Sequence, residues 1–99
     1  MDAKDIRRKI ENYFSEIFDC FFVVEYKEDC FTIDDTGIYI YTYMEKVPCL
    51  SGEKEIQGYR VATTDSDSIG TFVVLDEAIA CAGMAYLKDE QKRFFESYN

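Results

Sequence analysis

Apolar residues recur at spacings of three and four near the start of the chain, where Ile6, Ile10, Phe14, Ile17 and Phe18 fall on one side of a helix over residues 3–18. Asp2 and Asp5 supply a cap and favourable charge at its start. The pattern then changes period. Residues 20–26 form a continuous apolar run through Phe21, Phe22, Val23 and Val24, which predicts a central strand covered on both faces. Residues 30–34 predict a second strand, and Asp34-Asp35-Thr36-Gly37 is turn chemistry.

Strict alternation follows in Ile38-Tyr39-Ile40-Tyr41-Thr42-Tyr43-Met44. Side chains alternate across a strand, so Ile38, Ile40 and Met44 share a core face while Tyr39, Tyr41 and Tyr43 share the other. Parity also sets the hairpin register. Opposing Ile33 to Ile38 pairs Phe31 with Ile40 and Thr32 with Tyr39 and keeps the core face apolar, whereas a one-residue slip would set Ile33 against tyrosine or glycine.

This third strand is expected to end near Lys46, because Pro48 cannot donate to a ladder and Ser51-Gly52 supplies a turn. A fourth strand is predicted over about residues 55–64, with Gly58 marking a bulge. Residues 65–70 read as a loop, and 71–75 as a short fifth strand or a lead-in to the last helix. Asp76 is the expected N-cap of a helix over about 78–97, whose small residues Ala78, Ala82 and Gly83 allow close approach to the sheet while Ile79, Tyr86, Leu87 and Phe94 fill the seam. The order α-β-β-β-β-α predicts an α+β fold: an antiparallel sheet of four or five strands with both terminal helices on one face. Residues 1–99 are expected to form a single domain.

Composition adds a constraint on partners. The chain has net charge -9, no histidine and no tryptophan. Residues 12–58 hold ten acids against Lys27, Lys46 and Lys54, so this body repels nucleic acid and attracts basic surfaces. Direct binding of nucleic acid is therefore not expected. Four cysteines at 20, 30, 49 and 81 form no close ligand pairs, and reduced, mostly packed thiols in a cytoplasmic protein are the expectation. The charged start has no apolar signal core, and no run approaches the ~20 apolar residues of a membrane span.

Catalytic chemistry is poorly represented. Without histidine there is no ready general base near neutral pH, and no glycine-rich phosphate loop is present. Neither an enzyme nor a cofactor is expected. Asp65, Asp67 and Asp76 superficially follow calcium-loop spacing, but Ile69 stands where a ligand is needed, so no metal is expected there.

In size, acidity and aromatic content the chain resembles the small inhibitors that phages make against host nucleases, anti-CRISPR and anti-restriction proteins among them, and the immunity proteins that neutralise nuclease toxins. The likeness is one of composition and carries over no residue. It implies an acidic interaction protein that masks the basic surface of a nucleic-acid-binding enzyme. Glu25, Asp34, Asp35, Tyr39, Tyr41, Tyr43 and Glu45 are the expected partner-binding residues, with tyrosines as desolvated anchors and carboxylates steering the encounter. The alternative is a homodimer or host-protein complex through the tyrosine face, without charge imitation.

Overall fold

The computed structural model describes residues 2–98, the Tyr98 side chain aside. Helix α1 (Ala3–Phe18) is followed by strands β1 (Val24–Lys27), β2 (Cys30–Ile33), β3 (Ile38–Cys49), β4 (Gly52–Thr63) and β5 (Ser66–Phe72), then helix α2 (Leu75–Tyr98). The five strands form one antiparallel meander in the order β1-β2-β3-β4-β5. The α+β architecture expected from the hydrophobic pattern is the one observed.

Asp2 caps α1 through its side chain, which accepts from the Asp5 amide at 2.9 Å. Ile6, Ile10 and Phe14 of α1 meet Phe31, Ile33, Ile38, Ile40 and Val61 of the sheet, all at most 3% exposed, and α2 completes the core with Ala78, Ile79 and Ala82. Each large side chain buried here stabilises the fold by about 1.5–3 kcal/mol. The two helices run parallel: Lys9 reaches Asp76, Tyr13 lies against Gly83, and Phe14 and Phe18 both meet Tyr86. A side chain at Gly83 would sit 2.9 Å from the Tyr13 ring, so the absence of a Cβ brings α2 close to α1.

The β2–β3 register is the one parity requires, with Ile33 opposite Ile38, Phe31 opposite Ile40 and Thr32 opposite Tyr39. Several expectations need correction. The apolar run 20–26 is not a central strand: only Val24–Lys27 is extended, it lies at the sheet edge, and of its residues only Val24 is buried. Phe22 turns inward to join Phe14, Phe18 and Tyr86 in an aromatic cluster, while Phe21 is 79% exposed.

Strand β3 does not stop near Lys46 but continues through Pro48 to Cys49, and β4 starts at Gly52, earlier than 55. The Thr42 amide donates to the Asp29 carbonyl on the β2 side, at 2.8 Å, whereas the Gly37 carbonyl accepts from Thr64 beside β4. By alternation the backbone of Met44, Lys46 and Pro48 faces the β2 side, where pairing has already ended at Tyr41. The missing N–H of Pro48 therefore costs no ladder bond. Gly58 pairs regularly with Tyr43, and the irregularity in β4 lies at 61–63 instead.

Residues 66–72 form a strand where a loop was expected, and α2 begins at Leu75, placing Asp76 within its first turn. At the helix faces, Ile17, Leu87 and Phe94 are exposed instead of buried, Phe94 because the last turns of α2 run past the end of the sheet at Ile38 and Thr63. Met44 shares the core face by parity yet is 59% exposed, because it lies beyond the helices. Cys20 and Cys49 are exposed, so only Cys30 and Cys81 are partly packed. The molecule measures 58 × 24 × 21 Å. Among the described residues no helix is long and apolar enough to cross a membrane.

Candidate partner-binding face

Both helices occupy the side of the sheet that carries Ile38 and Ile40, which leaves the opposite side bare. Alternation puts Tyr39, Tyr41 and Tyr43 there. Their cross-strand neighbours on β4 are Ala62, Arg60 and Gly58. This trio explains why the tyrosines are half-buried and not fully exposed as a bare row would be. A Cβ on Gly58 would lie 2.5 Å from the tip of the Tyr43 ring, so that ring lies flat over the glycine backbone. Ala62, only 3% exposed, lies opposite Tyr39 on the same face.

Between them the Arg60 guanidinium carbon stands 4.8 Å from the centre of the Tyr41 ring, and Tyr39 and Tyr41 are 6.4 Å apart. The row thus rests on a platform of glycine, arginine and alanine. Arg60 Nε is buried without a hydrogen-bond partner among the described residues, so its planar group is held by stacking. The Cys30 thiol opposite Tyr41, followed by burial, raises the phenol above its ordinary value, while Arg60 acts the other way. The ring therefore stays neutral across the physiological range.

The carboxylates stand around this row. Glu25, exposed on β1, is the cross-strand neighbour of Thr32 and shares a shallow hollow with Asp34 and Asp35 at the closed end of the β2–β3 hairpin. Glu45, opposite Ile56, lies one step beyond Tyr43 where the ribbon leaves the body. The seven expected residues therefore fall on one face and its rim. Glu25, Asp34 and Asp35 sit together at one end of the tyrosine row, and Glu45 stands alone at the other.

Three neighbours stand outside the seven expected residues, two of them in the acidic stretch of residues 12–58. Besides Arg60, Glu28 and Asp29 form the two-residue turn joining β1 to β2, and they line a groove with Tyr41, Tyr43, Arg60 and Thr71. Both turn residues have positive φ, 51° and 60°, as a type I′ hairpin turn requires. Asparagine and glycine take that geometry readily, while glutamate takes it at a cost. Asp29 is tied down on two sides: Tyr26 donates its hydroxyl to the carboxylate at 3.0 Å, and Thr42 donates its amide to the carbonyl. The first of these bonds raises the Tyr26 phenol. A two-residue gap between Lys27 and Cys30 was the available sign of this turn.

Asp65, Asp67 and Asp76 do not make a calcium loop, because residues 66–72 are extended and Asp76 is helical. Among the described residues no group of three side chains suited to a metal ion is formed. No protein family matches this chain, and neither a curated protein nor a solved structure is significantly similar to it.

Proposed function

We propose that this is a protein-interaction protein and not an enzyme, whose acid-rimmed tyrosine face masks the basic, nucleic-acid-binding surface of an enzyme such as a nuclease. This is the action that the likeness in composition to anti-CRISPR, anti-restriction and immunity proteins implies, and its setting is the cytoplasm of the cell in which the target works. The observation that carries the reading is the tyrosine row seated on Gly58, Arg60 and Ala62 with carboxylates at both ends. Tyrosine and arginine are the side chains that most often anchor interfaces, and a rim of one charge steers the approach of the opposite charge. The strained Glu28-Asp29 turn adds two further carboxylates beside the row.

A second reading has one observation in its favour. Arg60 puts a cation in the middle of the face, where imitation of a phosphate backbone calls for an anion. A tyrosine-led complex with a host protein, or with a second copy, accommodates that arginine without charge imitation.

Capture of partners from host lysate at low and high salt, followed by association kinetics with the captured protein, tests the proposal. Reversing Asp34, Asp35 and Glu45 to lysine is expected to slow association and flatten its salt dependence. Tyr41→Ala is expected to speed dissociation by ~10-fold or more. A partner with an acidic contact surface, or association indifferent to the charge reversals at low salt, would leave the second reading standing in place of the first.

A further inference from the structure

Beyond Thr42 and Tyr59, β3 and β4 leave the body as a two-stranded ribbon ending at Leu50 and Ser51. On the helix side of its root, the start of α1 and the sheet frame a cleft of about 270 Å³. Ala3, Ile6, Phe31 and Met44 give it apolar walls, while Asp29, Tyr43 and other polar side chains make up the rest of its lining. At the far end of the same ribbon Leu50 stands wholly in solvent, 110% exposed.

We propose that two copies of this chain clasp ribbons in opposite directions, each seating its Leu50 in the cleft at the root of the other. Tip and root are six residues apart, ~20 Å along a strand. Because one ribbon carries the projection at its tip and the cleft at its root, reversing one ribbon beside another matches both ends at once. The result is a closed two-fold pair and not an open chain.

Charge singles out the same region. Residues 45–56 carry Glu45, Glu53 and Glu55 against Lys46 and Lys54, which leaves eight of the nine net negative charges elsewhere. Two copies of an acidic protein therefore meet here with the least repulsion. Pro48 on the outer edge of β3 works against simple strand-to-strand addition there, so side chains and not backbone bonds make the contact. The cleft opens beside α1 and reaches the tyrosine face only at Tyr43 and Asp29, so the pair leaves Tyr39 and Tyr41 of both copies open. The inference stands apart from the proposed partner binding, and neither depends on the other.

Sedimentation of the purified full chain over a concentration series tests the clasp. The wild type is expected to pass from monomer to dimer, Leu50→Asp to weaken dimerisation at least ~10-fold, and Tyr41→Ala to leave it unchanged. Leu50 is wholly exposed, so its replacement leaves the fold intact, as circular dichroism will register. A chain monomeric throughout the series, or a dimer that Tyr41→Ala breaks and Leu50→Asp does not, would overturn the proposal.

A thiol introduced by Gln57→Cys gives an independent check. Within one copy it lies ~17 Å from Cys49, too far for a disulfide. Ser51 makes the Cys49 thiol more acidic and so readier to react. Under diamide the variant is expected to give covalent dimers whose bridge joins Cys49 to the introduced thiol. Dimers bridged through the exposed Cys20, or none, would contradict the clasp.

Discussion

Strands β3 and β4 run through two surroundings without changing partners. From Ile38 to Thr42 they lie under the helices, and Ile38, Ile40 and Val61 are at most 3% exposed. From Met44 to Cys49 the same register continues with neither helix over it; Met44 is 59% exposed and Leu50 fully so. Pairing therefore persists where burial stops. The covered half is held by apolar contact, whereas the ribbon is held by cross-strand neighbours and a tight turn, a combination that is marginal by itself. Gly52, at φ 123°, helps close that turn in a conformation side-chain-bearing residues rarely adopt.

The sharpest way to break this comparison is to remove a side chain from each half. Phe31→Ala or Phe14→Ala is expected to cost about 3–5 kcal/mol in chemical denaturation. Leu50→Ala in dilute solution is expected to stay within about 0.5 kcal/mol of wild type. Equal losses would show that the ribbon belongs to the cooperative core after all. Hydrogen exchange gives a second separation. Amides that close the β3–β4 ladder between Glu45 and Ile56 are expected to exchange at least ~100-fold faster than those of Ile40 and Val61, since they open without unfolding the body.

The Glu28-Asp29 turn lies where the two halves meet and sets stability against binding. Replacing it by the favoured pair, Glu28→Asn with Asp29→Gly, is expected to raise stability by about 1 kcal/mol and to weaken partner association. Gains in both would remove the turn from the binding face.

The smallest effect concerns Tyr59, on the last covered rung, opposite Phe72. Burial raises its phenol above the ordinary value of 10, so the folded state holds this proton more tightly than the unfolded chain does. As pH climbs past 10 the unfolded chain releases its proton first, and stability falls until the folded value is passed. Thermal melts between about pH 9 and 11 should show a smaller alkaline loss for Tyr59→Phe than for wild type.

How much of this was legible before the fold was seen depended on which physics each element uses. Parity fixed the β2–β3 register and the tyrosine face, because a slip there would have exposed Ile33 or Ile38. The extension through Pro48 was hidden, since periodicity gives side-chain direction but not which edge a backbone N–H faces. Strand β5 was hidden for another reason. Its Ser, Asp and Gly residues disfavour strands, and pairing with β4 overrides that preference. Arg60 went unnoticed because its place beneath Tyr41 follows only from the long β3–β4 register. Phe94 read as core by spacing alone, and spacing says nothing of where the sheet beneath it ends.

The parallel course of α1 and α2 has an electrical consequence. Both helices begin at the ribbon end, so their peptide dipoles add, and each places about half a positive charge there and half a negative charge at the opposite end. Neither helix has a basic residue in its last turn, and Asp19, Asp34 and Asp35 stand at the same end, where Lys88, Lys92 and Arg93 of α2 offset part of their charge. The molecule is thus polarised along its long axis. A surface rich in lysine and arginine exerts a torque on it before contact, turning the Asp34-Asp35 corner inward and the ribbon outward.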